Sequence, residues 1–397
     1  MRITEVRLFQ VQGTLEHEGP FWEERLVRPI DLYPEHRIEG PADYPVPIAE
    51  GRYLVQSIFL EIETDEGVKG LSGPVSEIPA FLIGRALKPI LMGQDPLAVE
   101  LIWDKLYRHA VHGRKGEMMM AISALDCALW DLRGRWAGAP VYRLLGGPTR
   151  DRIPAYASAL GYSLEPEKVR QRARKLVQQG YQATKWFFRH GPASGREGVE
   201  RNLELARTLR QAVGDDVDIM LDAWMSWDVP YALHMTQRLA EYRPRWIEEP
   251  VLPDKIDCYA RIRAASPIPI AGGEHEYTRW GIHSLLQAGA VDVLQPDIYW
   301  AGGITEMVKI CALASVYDIP VIPHGHSVPV TAHLLAAQPP TLCPILEYLI
   351  KWNEVNQFFL KHPVRPEGGS VPLPKGPGLG LDLDERQIQD RRELRWA

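Results

Sequence analysis

An α/β chain, built as a (β/α)8-type barrel joined to a smaller α+β part, is the fold class that the sequence predicts. Three observations carry this expectation. Between residues 152 and 348, eight short apolar runs alternate with segments whose apolar residues recur at helical spacing. The later runs end in polar side chains spaced by about one β/α unit each. The 397-residue length accommodates a barrel, which reaches about 250 residues alone, and a further domain.

The N-terminal part opens with "ITEVRLFQV" and "YLVQSIFLEIET", which alternate as half-buried strands do. "DEGVKG" follows the second, and its Asp65-Glu66-Gly67 is a hairpin turn signal. Residues 14–50, between the two strands, are rich in proline and charge. That is long for a structureless connection, and such loops are often functional lids. Residues 96–136 read as helices, including "AISALDCALWDLRGRWAG". The barrel runs are "IPAYAS", "ATKWFF", "VDIMLDA", "RWIEEP", "IPIAGGE", "VDVLQPD", "IPVIPHG" and "CPILEY". Helical stretches such as "PEKVRQRARKLVQQG" and "GITEMVKICALASVYD" separate them, often ending in glycine. The tail, 365–397, is Pro/Gly-rich and then charged, and is expected to pack back on the N-terminal part. The expected division is 1–135, 136–364 and 365–397.

Hydrophobic residues make up 45% and charged residues 24%, as in a globular protein with a large core. The net charge of −6 argues against a general affinity for nucleic acid or anionic membranes. No apolar run of about 18 residues exists to span a membrane. The N-terminus lacks the apolar core of a signal peptide. Cys127, Cys258, Cys311 and Cys343 follow no pattern and read as reduced thiols in a cytoplasmic protein.

In a parallel barrel the C-terminal ends of all strands converge on one face, where active sites form. The polar residues closing the runs are Lys185, Asp222, Glu248, Glu274, Asp297, His324 and Glu347. From Asp222 onward they are 26, 26, 23, 27 and 23 residues apart. Asp222, Glu248 and Glu274 fall on three adjacent strands. Three converging carboxylates repel one another unless a hard divalent cation such as Mg2+ joins them. The alternative for each is a pairing with Arg or Lys. Asp297 beside His324 would fix the imidazole tautomer and raise its basicity, which suits proton abstraction. His326 is the second choice for the base, and His275 reaches either the pocket rim or elsewhere. Lys185 is read as holding an anionic substrate or moving a proton. Glu347 would donate a hydrogen bond if protonated, accept one, or act as a salt-bridge partner.

"LDAWMSW", "WIEEP", "GGEHE", "QPDIYWAGGITE", "IPHGHS" and "ILEY" together resemble the enolase superfamily in its mandelate racemase subgroup. "SALDCALWDLRGRWAGAPVYRLLGG" is similar to that family's junction between capping domain and barrel. The resemblance covers nearly the whole chain and lies nearest the acid-sugar dehydratases. It implies a (β/α)7β barrel closed by an α+β cap made of the N-terminal part and the tail. It also implies Asp222, Glu248 and Glu274 as Mg2+ ligands, His324–Asp297 as the catalytic dyad and Glu347 as the strand-eight acid. Lys185 matches the first lysine of the family's Lys-x-Lys motif.

Phe187 departs from that motif. In the family's racemases the second lysine is a base on the face opposite the histidine. A racemase must remove a proton from one face and deliver one to the other. A dehydratase can work with His alone, which removes the α-proton and returns it to the leaving hydroxyl. The expectation is therefore Mg2+-dependent dehydration of a small-molecule acid sugar. The alternatives are epimerisation or racemisation with a group from the cap, and a non-catalytic binding protein. Arg25, Arg28, His36 and Arg37 in the 14–50 segment are candidates for contacting substrate hydroxyls or a distal carboxylate. A homo-oligomer is expected from apolar cap and barrel surfaces.

Overall fold

The computed structural model describes residues 1–396. An antiparallel sheet forms first, from β1 (Ile3–Glu16), β2 (Val46–Ala49), β3 (Arg52–Thr64) and β4 (Lys69–Val75). β1 runs beyond its expected end because the alternation continues to Leu15, pairing in register with β3 as far as Glu16↔Arg52. Gly67, at φ +77°, makes the tight β3–β4 turn. Helices between Glu77 and Leu91, then Val99–His109 and Glu117–Trp136, cover the sheet. The last of these is buried along most of its length, so it lies inside the molecule between sheet and barrel.

The barrel follows as β5 (Arg152–Ser158), β6 (Ala183–Phe187), β7 (Asp218–Asp222), β8 (Trp246–Glu248), β9 (Ile270–Gly272), β10 (Val293–Leu294) and β11 (Leu346–Leu349). All neighbouring pairs from β5 to β10 are parallel, and β11 closes back on β5. The seventh of the eight expected strands is reduced to a single parallel bridge, Leu294↔Val321. Several strands are shorter than the apolar runs that announced them, since the ladder pairing ends before the runs do. The barrel interior holds one side chain from each of the eight positions: Tyr156, Ala183, Met220, Trp246, Ala271, Val293, Ile322 and Ile345. Layers of this kind make a barrel a packed core rather than a pore.

The tail does more than return to the N-terminal part. β12 (Ser370–Pro372) pairs antiparallel with the start of β5, and β13 (Asp390–Leu394) then joins β1 as an edge strand of the cap sheet. No helix is long and apolar enough to cross a membrane among the described residues.

The 14–50 segment contains two short 3-10 turns, Pro29–Leu32 and Pro34–His36, as well as β2. Its chain crosses to the barrel. Glu23 N donates to Gly161 O at 2.7 Å, and Val27 N to Phe188 O at 2.8 Å. A side chain on Gly161 would start 2.6 Å from the Trp22 indole, so the lack of one lets the segment close down.

Candidate active site

The strand ends bring most of the expected residues into one mouth. β6, β7 and β8 are in register through Phe187↔Asp222 and Asp222↔Glu248. Glu274 lies two residues past β9, and Asp297 three past β10. A cavity of about 240 Å3 opens there, lined by Lys185, Phe187, Asp222, Glu274, His324 and His326, with Trp22, Leu26, Trp224, Trp300 and Trp352 as its apolar walls.

His324 Nδ1 is 2.8 Å from Asp297 Oδ2, and its Nε2 is 3.8 Å from Glu274 Oε2. One ring nitrogen is thus anchored and the other faces the acidic mouth. Burial alone would lower the imidazole pKa, but the charges of Glu274 and Asp297 outweigh it and lift it to about 10. The Trp300 ring lies 5.1 Å from His324 and 5.3 Å from His275, and walls both.

Lys185, almost fully buried, contacts Glu248 closely and lies 2.8 Å from Glu347 and 3.6 Å from Asp222. Its desolvation is overcome by Glu248 and Glu347, which keep it cationic. Burial opposes ionisation of Glu347, yet Lys185 and His324 hold its carboxyl below the ordinary value. Of the roles open to Glu347, this disfavours the protonated donor: the carboxylate is a salt-bridge partner of Lys185 and also accepts from Gly325 N at 2.9 Å.

Six buried carboxylates meet here: Asp222, Glu248, Glu249, Glu274, Asp297 and Glu347. Lys185 is the one obligate cation among their partners. Even with His275 and His324 protonated, negative charge is left over. The strain falls on Asp222, whose carboxyl is driven well up by burial and by Glu248, and on Glu274, raised to about 7 chiefly by burial. Such a set fits a hard divalent cation, because oxygen donors in excess of available counter-charge are what Mg2+ requires.

The ligand atoms are not all gathered where spacing suggested. Among the described residues, the set lying within 4.8 Å of one another is Glu249, Glu274 and His275. Glu248 is instead occupied by Lys185, by Trp246 Nε1 at 3.0 Å and by Gln295 Nε2 at 2.8 Å. Glu249 is the residue that sequence reasoning missed. It adopts φ +42°, a strained left-handed conformation, and this turns its carboxylate onto His275 Nδ1 at 2.9 and 3.1 Å. The doubled acid in "WIEEP" was the available signal. Both Glu248 and Glu249 already have polar partners, so engagement does not choose between them; what favours Glu248 is its register beside Asp222 at the strand end.

Four candidates lie elsewhere. Arg25, Arg28, His36 and Arg37 are absent from the cavity wall, which the segment supplies with Trp22 and Leu26 instead. Arg37 donates to the carbonyls of Asp31 (2.7 Å) and Leu32 (3.0 Å), tying its own turn. His36 is exposed. Arg28 pairs with Asp31 at 2.9 Å. Arg28 and Arg37 are spent on backbone carbonyls of their own segment, whereas Arg25 Nη1 is buried without a hydrogen-bond partner. His326 does line the cavity, with burial lowering its pKa. His275 is not among the lining residues; its ring packs against Trp300 and Trp224 and its Nδ1 meets Glu249.

Two family models match the chain: "Enolase C-terminal domain-like" over residues 168–387, and "Mandelate racemase / muconate lactonizing enzyme, N-terminal domain" over residues 37–146. The chain belongs to the enolase superfamily. A curated superfamily relative, the L-rhamnonate dehydratase of Saccharopolyspora erythraea, is 34% identical over 408 residues, covering 99% of each chain. The crystal structure of rhamnonate dehydratase from Gibberella zeae complexed with Mg aligns with TM-score 0.82 and 30% identity, over 97% of this chain and 95% of that one. A racemase from Streptomyces coelicolor with bound magnesium aligns with TM-score 0.80 and 28% identity, over 97% and 98%. The superfamily fold, a capping domain on a barrel, is thus the fold of this chain.

Proposed function

We propose that the chain is a Mg2+-dependent hydro-lyase that dehydrates an acid sugar, an aldonate or aldarate, to a 2-keto-3-deoxy acid. One observation carries this reading: the cavity has an Asp-oriented histidine, while Phe187 lines it where the family's racemases have a second lysine. The names of the relatives add support and make L-rhamnonate the first substrate to test.

Asp222, Glu248 and Glu274 would hold the ion. When bound, Mg2+ supplies Lewis-acid stabilisation of the charge that develops on the substrate carboxylate. Lys185 adds a fixed positive charge beside that carboxylate, and Glu347 fixes Lys185. With an ion held by Glu274, the main charge that raises His324 would be offset, leaving Nε2 free to take the proton from C2, and Asp297 stabilises the imidazolium that results. Electrons from the C2–H bond form the C2=C3 bond as the C3–O bond breaks. His324 gives its proton to the departing hydroxyl, so water leaves. The enol then tautomerises to the ketone. The Trp22, Trp224, Trp300 and Trp352 walls exclude solvent.

The test is His324→Asn. The variant should keep Mg2+ binding but lose both dehydration and solvent-deuterium exchange at C2. Retained exchange would assign the base to another residue. The proposal includes a homo-oligomer, supported by exposed Leu32, Tyr33, Ile38 and Val46 on the segment beside the cap, which light scattering tests. It also includes a cytoplasmic location, supported by buried free thiols at Cys127, Cys311 and Cys343.

A further inference from the structure

Two buried cations of the barrel play no part in the chemistry above, and both reach the same stretch of the cap. Lys351 lies in the helix Ile350–Asn356 directly after β11 and is 1% exposed. Its Nζ donates to Phe21 O, to Glu23 Oε1 at 2.8 Å and to Gly161 O at 3.1 Å, and sits 4.3 Å from the Tyr162 ring centroid. Arg189 lies just after β6 and is 6% exposed. It donates to Asp31 Oδ2 at 3.2 Å and Ile38 O at 2.7 Å, with Glu24 Oε1 at 3.7 Å. Neither residue lines the catalytic cavity.

Trp22 lies between the two Lys351 contacts, Phe21 and Glu23, and Leu26 between the Arg189 contacts Glu24 and Asp31; these are the two cavity-lining residues of the segment. The anchors directly follow the barrel strands that carry Lys185 and Glu347. The segment is therefore fixed relative to the catalytic groups from both sides.

We propose that Lys351 and Arg189 are positioning residues, a pair of latches that fasten residues 21–38 across the mouth and set where Trp22 and Leu26 meet the substrate. Burying a cation is tolerable only with its partners in place. Lifting the segment would leave Lys351 with Gly161 O as its one remaining hydrogen-bond acceptor, and Arg189 with none of those named. The closed state is favoured by both cations at once. Both contacts keep Trp22 and Leu26 at their places on the cavity wall.

The latch reading rests on the proposed function only for its kinetic consequence, so the experiment has two independent readouts. Hydrogen exchange followed by mass spectrometry is measured on wild type, Lys351→Met and Arg189→Met, without substrate. Exchange in peptides covering residues 21–38 should quicken at least tenfold in each variant, while barrel peptides and Mg2+ affinity stay as in wild type. With an acid sugar that turns over, KM should rise more than tenfold and kcat should change less. Arg189→Lys should recover part of the loss. Glu23→Gln, which leaves the barrel untouched, should quicken the same peptides, and adding Lys351→Met to it should have less than an additive effect. Unchanged exchange in residues 21–38 overturns the proposal, as does faster exchange spread equally over the barrel. If no acid sugar turns over, the exchange result still decides the latch.

Discussion

Asp297 Oδ2 lies 2.8 Å from His324 Nδ1, and this contact leaves His324 Nε2 as the ring atom on the acidic side of the cavity. The two residues come from consecutive strand ends, so the barrel itself sets the pairing. Asp297 is also held, since its Oδ1 accepts from Tyr299 N at 2.7 Å.

Asp297→Asn keeps the shape of that contact but removes its charge. Turnover of an acid sugar should fall by roughly 10²–10⁴, the range of a general-base contribution, with KM nearly unchanged. Steady-state kinetics on the purified variant check this.

Lys185 is the fixed cation between Glu248 and Glu347. Lys185→Met should reduce kcat by about 10²–10³, as loss of one preorganised electrostatic donor does. The variant should still bind Mg2+, because the carboxylates lose a competitor. Isothermal calorimetry of Mg2+ binding separates this from misfolding.

Mg2+ binding should depend on pH in a defined direction. The Glu274 carboxyl is raised to about 7 in the metal-free protein. A carboxyl raised on folding contributes stability that is present below its unfolded pKa and lost as pH rises through the folded value. Metal-free stability should therefore drop between about pH 4.5 and 7. The ion must displace the proton, so its affinity should increase by about tenfold from pH 6 to pH 8. The Mg2+-induced rise in Tm should be larger at pH 8 than at pH 6, and Asp222→Asn should remove most of it. Differential scanning fluorimetry reads both.

Tyr299 ties the loop bearing Asp297 to the cap. Its hydroxyl meets Ser72 Oγ at 3.0 Å and accepts from Gly73 N at 3.1 Å, all buried. Tyr299→Phe leaves a buried donor unpaired and should cost about 1–3 kcal/mol in chemical denaturation.

The strand-end residues from Asp222 to Glu347 were legible because a barrel converts a repeat of one β/α unit into convergence on one face. Period alone placed His324 beside Asp297. Glu249 was not legible, since its role depends on a left-handed backbone turn that no pattern of side chains announces. The segment over the mouth misled in a specific way. Arg37 and His36 carried charge and drew attention, whereas Trp22 and Leu26 form the wall. Arg189 and Lys351 were invisible for the opposite reason: a single cation in a loop or helix is normally solvated, and only the folded chain reveals these two buried. The seventh strand was legible as an apolar run but not as a single bridge, because hydrogen-bonded length depends on where the loops leave the ladder.

Incubation of the wild-type enzyme with Mg2+ and a set of acid sugars in D2O, followed by NMR, tests the central claim most directly. L-rhamnonate or a relative should yield a 2-keto-3-deoxy acid, and chelation of Mg2+ should stop it. Recovery of substrate deuterated at C2 with no ketone formed would contradict dehydration and indicate an epimerase or racemase.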